Sequence, residues 1–392
     1  MKDSKKVDEL KWRIGYGVTG NQDAIAPYNS LLLMGPSGLT NVNGTPTVTF
    51  GYNRNANPDL RWETKYMFDT GLDFSYDQGR FTAVLDYYYS RTTNLLYNYA
   101  VPTPPFVFPS LLANLGEMEN SGVELALSYA PIRTKDMELR IGGNVTYQKN
   151  KLLSLSGTYG GQELSSSKYM SLGSINGAGF IGGNNQVVYQ LVGQPLGVFY
   201  IAKSNGIIDD GFGNYTYNVV DLDGDGAIDI GEGKDRYIAG QAIPKVLLGA
   251  NISFRYKAFD AQLQMNGAFG HKIYNGTSLT YMNMSAFPTY NVLPGAPEKN
   301  IKDNKVTDYW LERGDYLNFE YLSLGYNFDL KEDSPVKKIR LSASVNNLFT
   351  LTAYSGLSPL INNSTVGGDL GVDDKRFYPM TRTYSLGLNL TF

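Results

Sequence analysis

Apolar and polar residues alternate one for one along much of this chain, the period of strands whose two faces meet different surroundings. The last stretch is the clearest. Tyr384, Leu386, Leu388, Leu390 and Phe392 share one face, and Thr383, Ser385, Gly387, Asn389 and Thr391 the other. Val246, Leu248, Ala250, Ile252, Phe254 and Tyr256 oppose Gly249, Asn251, Ser253 and Arg255. Phe259, Ala261, Leu263, Met265 and Phe269 oppose Asp260, Gln262, Gln264 and Asn266, and Leu139, Ile141, Val145 and Tyr147 oppose Arg140, Asn144, Thr146 and Gln148. Similar runs lie near 65–77, 80–92, 121–130, 316–328 and 338–348, with a weaker one near 10–18. The pattern predicts about ten strands, most of them reaching the roughly 9–11 residues that cross a bilayer when tilted. Strands of a soluble sandwich alternate too, but usually run about 5–6 residues.

The connections sharpen this choice. Short turns at Asp77-Gln78-Gly79, Pro131 to Asp136, Lys257-Ala258 and Asp329 to Lys337 alternate with long segments near 19–64, 93–120, 151–244, 271–315 and 349–379. Tight turns on one rim and long loops on the other are the asymmetry of a membrane barrel. Phe392 then closes a strand that runs towards the short-turn rim. Aromatic side chains near strand ends, among them Tyr87, Tyr88, Tyr89, Tyr321 and Tyr326, suit the interfacial girdles of such a barrel. The predicted fold is all-β: an antiparallel transmembrane β-barrel segment of about ten strands with long extracellular loops.

Composition narrows the chemistry. Only 18% of the 392 residues are charged, below the roughly 25% of soluble domains, while 43 glycines and 30 tyrosines are an excess. No run approaches the roughly 18 apolar residues of a membrane helix. The absence of cysteine removes disulfides, thiol catalysis and thiolate zinc sites. A net charge of -3 argues against nucleic acid as a partner. The charged start, Met1 to Lys6, is not followed by the apolar core of a signal peptide, so a mature chain or part of a longer frame is expected.

Several stretches then resemble one family, the SusC/RagA-type TonB-linked outer-membrane transporters of Bacteroidetes. They are Tyr16 to Gln22, Asn57 to Glu63, Asn114 to Glu124, Gly193 to Gly197, Asp221 to Asp229, Val345 to Phe349, and Phe377-Tyr378-Pro379 leading to Phe392. They follow family order over essentially the whole chain. The resemblance implies a TonB-dependent barrel of about twenty-two strands with a plugged lumen. Residues 1–392 are then the C-terminal barrel portion, with the plug domain and signal peptide absent. It further implies residence in the cell outer membrane and import of oligosaccharides or peptides. The implied partners are a SusD-like surface lipoprotein, outer-membrane lipid, and the TonB complex through the missing N-terminal part. Two other readings fit the strand pattern: a self-contained ten-stranded outer-membrane enzyme, protease or lipase, and a structural or adhesive β-protein. The single histidine and the lack of a catalytic set count against the enzyme.

One local motif carries site chemistry. Asp221, Asp223, Asp225, Gly226, Ile228, Asp229 and Glu232 meet the calcium-loop pattern, with the Ala227 carbonyl at the seventh place. Carboxylates at alternate positions can converge on a hard cation because Gly226 permits the sharp turn. The flanking helices of an EF-hand are missing, so calcium in an extracellular loop is an expectation set against a solvated acidic loop. No organic cofactor is expected. Gly177 to Gly182 matches a dinucleotide fingerprint but lacks the preceding parallel strand and following helix. His271 is read as a lone exposed loop histidine. Alternation assigns Asp69, Asp73, Asp86, Glu124, Arg140 and Arg255 to the lumen, because charge on the lipid face is costly. Tyr97, Tyr99, Phe106, Phe108, Tyr281 and Phe287 are candidates for sugar stacking or partner contact.

Overall fold

The computed structural model describes residues 6–23, 25–165, 169–175, 186–231, 234–330, 335–360, 370–373 and 378–392. Ten long strands form one antiparallel sheet in which each pairs with the next along the chain. They are β1 (Val7–Asn21), β2 (Glu63–Tyr76), β3 (Phe81–Ala100), β4 (Ser110–Arg133) and β5 (Met137–Ser154). The second half comprises β6 (Val246–Tyr256), β7 (Phe259–Phe269), β8 (Tyr316–Asp329), β9 (Lys338–Thr352) and β10 (Thr383–Thr391). β1 and β10 are its two edges.

Register puts like beside like. Ile141, Ile252, Leu263, Leu322, Val345 and Tyr384 are successive cross-strand partners and make one apolar row. One residue along, Gly142, Asn251, Gln264, Tyr321, Asn346 and Thr383 make a polar row. A slip of one residue would exchange the rows, so two-sided surroundings fix the register strongly. The apolar face is left uncovered: Trp12 is 72% and Leu386 91% exposed. A continuous uncovered apolar face of this length is what hydrocarbon covers.

The polar face is tied across strands. Arg13 of β1 grips Asp73 of β2 through Nε at 2.9 Å and Nη2 at 2.8 Å, and reaches Asp86 of β3 at 2.7 Å. Gly71 lies between Arg13 and Asp86 in register, and a Cβ there would overlap both side chains. The device recurs on the far side of the sheet. Arg340 of β9 bonds Asp260 of β7 at 2.7 Å across Gly325 of β8, where a Cβ would meet Asp260 Oδ2 at 2.7 Å. Half-exposed ion pairs contribute little stability, but they fix where side chains point. Arg13 and Arg340 were missing from the inward set read by alternation, which the structure otherwise supports.

The short-turn rim matches its sequence. Asp77, Gln78 and Gly79 all take positive φ, at 54°, 55° and 71°, and Lys257 turns β6 into β7 at φ 50°. The other rim differs from the expectation of loops. Residues 93–120 are mostly strand, because β3 runs to Ala100 and β4 starts at Ser110. A bulge at Leu95 shifts the alternation, which is why the period-2 reading stopped short. Residues 34–52 form a hairpin whose Asn43-Gly44 turn, φ 52° and 85°, is the usual two-residue kind.

The remaining long connections fold together into a cap. Strands Tyr169–Ser174, Gln186–Leu191, Val198–Ala202 and Arg236–Gln241 form one sheet. Lys272–Asn275 sits between Leu311–Arg313 and, in parallel, Val372–Asp373. One core joins these pieces through Val187, Phe199, Ile201, Tyr274, Leu279 and Ile301, all at most 1% exposed.

The glycine bridge is testable. Gly71→Val should destabilise the folded protein by roughly 1–3 kcal/mol, the usual cost of overpacking. Gly17→Ala, in open space on the same face, should be neutral. Gel-shift melting of the purified protein reads both, and equal midpoints for the two variants would contradict the bridge.

Candidate functional site

The acidic loop is held on the cap between strand Tyr215–Val219 and strand Arg236–Gln241. Its base is Asp235, fully buried, which accepts the N–H groups of Leu222 and Asp229 at 2.7 Å each. Arg236 next to it donates Nε to the Ile230 carbonyl at 2.7 Å and Nη1 to Tyr189 at 2.6 Å, anchoring the loop's end to the cap sheet. The Asp229 N–H first, and the Leu222 N–H after it, hold the Asp235 carboxyl below the usual carboxylate range.

Inside the loop the carboxylates turn on the backbone. Asp221 accepts from Gly224 at 2.7 Å and from Gly226 at 2.9 Å, and Asp223 accepts from Asp225 at 3.2 Å. Gly224 and Gly226 take φ of 76° and 83°, a left-handed conformation that bends the segment around these oxygens. Asp225 points elsewhere, accepting Ala227 N–H at 2.9 Å and Lys234 Nζ at 3.0 Å. The Ala227 N–H first, and Lys234 after it, lower its pKa. Asp229 accepts from Gly231 at 3.0 Å. The carboxylates brought together are therefore Asp221, Asp223 and Asp235, with one oxygen of each within 4.8 Å of the others. Glu232 lies outside the described residues. Asp235 was missed in the sequence because it falls three residues beyond the twelve-residue pattern, and only folding brings it back under Leu222.

The other candidates sort by burial. His271 is not exposed but 3% accessible, its ring packed on Gly314 and edge-on to Tyr316. Tyr99 is fully buried and packs with Leu111 and Leu164, so it cannot meet a sugar. Tyr97 is half-buried and accepts from Gln190 at 2.5 Å, while Phe106 packs on the same cluster. Phe287 is 55% exposed and stays available. The Gly177 to Gly182 stretch lies outside the described residues.

Two further carboxylates were not read from the sequence at all. Asp373 accepts from Thr277 and Tyr354 at 2.7 Å each, and Glu312 accepts from Asn275 at 2.9 Å and Ser355 at 2.7 Å. They tie the segment after β9 to the cap. Burial, and then the Asp373 charge, raise the Tyr354 pKa, so its phenol stays a donor.

Open polar-and-apolar strands in a single meander, crossed lumen charges and a folded external cap define the wall of an outer-membrane barrel. A family model described as TonB dependent receptor-like, beta-barrel, matches residues 7–348, and the chain belongs to that family. It is 30% identical to TonB-dependent receptor P3 of Formosa agariphila over the whole of this chain and 40% of the relative. It is 27% identical to TonB-dependent receptor SusC of Bacteroides thetaiotaomicron, again over the whole chain and 38% of the relative. The RagAB peptide importer in its open-open state shares the fold, with a TM-score of 0.78 at 21% identity, covering all of this chain and 41% of that one. The chain thus spans about two fifths of the length of the curated relatives it matches. The two curated relatives are receptors by name, and neither name supports the enzyme reading.

Asp235 makes a pH prediction. A depressed carboxylate contributes order that is complete above its unfolded value, about 3.9, and lost as pH falls through the lower folded value. Hydrogen-exchange protection of the Leu222 and Asp229 amides should persist at pH 5, fall only in stronger acid, and drop several-fold at pH 7 in Asp235→Ala. Unchanged protection in the variant would show that the loop is held by other means.

Proposed function

We propose that this chain supplies barrel wall and external cap to a TonB-dependent importer of oligosaccharides or peptides. The observation that carries the reading is the whole-chain match to SusC and receptor P3, on a sheet with a lipid-type face and a crossed-charge lumen face. In this reading the strands do no covalent chemistry. They enclose a lumen, and the cap offers a surface at its mouth to a SusD-like lipoprotein. Energy arrives from the TonB complex through parts of such a transporter that these residues do not include. Deleting the gene that carries this sequence should abolish growth on one class of glycan or peptide, and the intact gene should restore it. A polypeptide of residues 1–392 alone should not restore growth, since β1 and β10 present unpaired edges. Restoration by that polypeptide would refute the wall-only role.

The acidic loop supports a second assignment, calcium as a structural clamp. Three oxygens converging from Asp221, Asp223 and Asp235 suit a hard cation, and the Ala227 carbonyl and Glu232 belong to the same sequence pattern. Bound there, calcium would fasten the loop to the buried base rather than take part in transport chemistry. External sites of this kind have dissociation constants on the order of 0.1–1 mM. Calcium should raise the protease resistance of the loop in the wild type and leave Asp221→Ala/Asp223→Ala unaffected. An equal response in both proteins would leave a solvated acidic loop.

A further inference from the structure

Where the outer ends of β6, β7 and β8 meet the cap sheet, a pocket of about 470 Å³ opens between Gln194, Val198 and Ile238 on the cap and Lys245, His271 and Asp315 on the rim. Lys272 and Arg313 also line it. Three of these groups are cations and one is a carboxylate. Among the described residues, Lys245, Lys272 and Arg313 take part in no ion pair. Asp315 is already engaged, accepting the Gly270 N–H at 2.6 Å. The pocket therefore presents an excess of unneutralised positive charge.

His271 adds an independent observation. It is 3% exposed, and neither ring nitrogen has a hydrogen-bond partner. Its ring stands edge-on to Tyr316 with centroids 6.4 Å apart, and rests on Gly314, where a Cβ would come within 2.5 Å of Nε2. The chain makes room for this ring and then gives its nitrogens nothing to bond. Buried polar groups without partners are uncommon, because the lost hydration is not recovered. A neutral imidazole carries one N–H donor in either tautomer. One histidine beside a carboxylate already in use is too small a donor set for a transition metal. A cation-lined cavity with a spare buried donor fits an anion instead.

We propose that this pocket binds the oxyanion group of a ligand, a phosphate or carboxylate, with Lys245, Lys272 and Arg313 supplying charge and His271 a buried donor. Its place at the outer ends of the wall strands gives two sources for that group. One is the phosphate of a lipid headgroup in the surrounding leaflet, and the other is an acidic group on a solute arriving at the barrel mouth. The assignment does not depend on what the protein imports.

The test uses the protein purified from outer membranes in detergent. Equilibrium dialysis with inorganic phosphate and with glucuronate is compared across wild type, Lys272→Gln/Arg313→Gln and Asp315→Asn, alongside the phosphorus content of co-purified lipid. In Asp315→Asn the side-chain amide oxygen can still accept the Gly270 N–H, so this variant removes only the opposing charge. The expected result is saturable binding of a soluble anion, weakened at least tenfold in the double variant and tightened in Asp315→Asn. If lipid phosphorus instead co-purifies with the wild type and is lost from the double variant, the proposal stands with a headgroup as occupant. Lys245→Gln provides the same comparison should the double variant fail to fold. Equal binding and equal lipid phosphorus in all the proteins, or no binding and no lipid in any, would overturn the proposal.

Discussion

Hydrocarbon offers no hydrogen bonds, so every backbone N–H and C=O that crosses a bilayer must be paired within the protein. The architecture of this chain follows from that one condition. Each of the eight inner wall strands is bonded on both sides, β1 and β10 on one, and consecutive strands are always neighbours. Where both neighbours are present the backbone is satisfied, and side chains are free to differ between faces. Leu386, Trp12 and their neighbours are left uncovered, and Arg13, Asp73, Asp86, Asp260 and Arg340 turn the other way.

The lumen face shows how a sheet can carry charge without a core. Arginine is long enough to reach from β1 over β2 to β3 only if nothing stands between. Gly71 clears that path, and Gly325 does the same for Arg340 and Asp260. Glycine ordinarily weakens a strand. Here the absent side chain is the condition for the crossing, and it sets the inner surface that anything in the lumen would face.

Beyond the membrane the constraint is lifted, and a different physics takes over. The cap is held by apolar burial around Phe199, Ile201, Tyr274 and Ile301, with polar groups such as Asp235, Asp373 and Glu312 satisfied by short hydrogen bonds. Loops rarely bury large side chains, since their own backbone groups then need partners. These connections solve that problem by forming small sheets of their own. The result is a fixed platform on which the acidic loop and the cationic pocket both sit.

The strands, their facing and their order were legible in the sequence because period-2 alternation is a local property. Tyr384 to Phe392 shows it, and the tight turns at Asp77 and Lys257 are local in the same way. The cap was not legible. Its strands are short, six residues at Gln186–Leu191 and five at Val198–Ala202, and buried on both faces in places, as in Val187-Val188 and Phe199. Such runs lose their alternation and look like loop. The same limit applied to single residues. Asp221 and Asp223 were recognisable by spacing, but Asp235 joins them only through the fold. His271 looked exposed because nothing near it in sequence covers it. Tertiary structure decides burial when the covering groups come from distant segments, as Gly314 and Tyr316 do here.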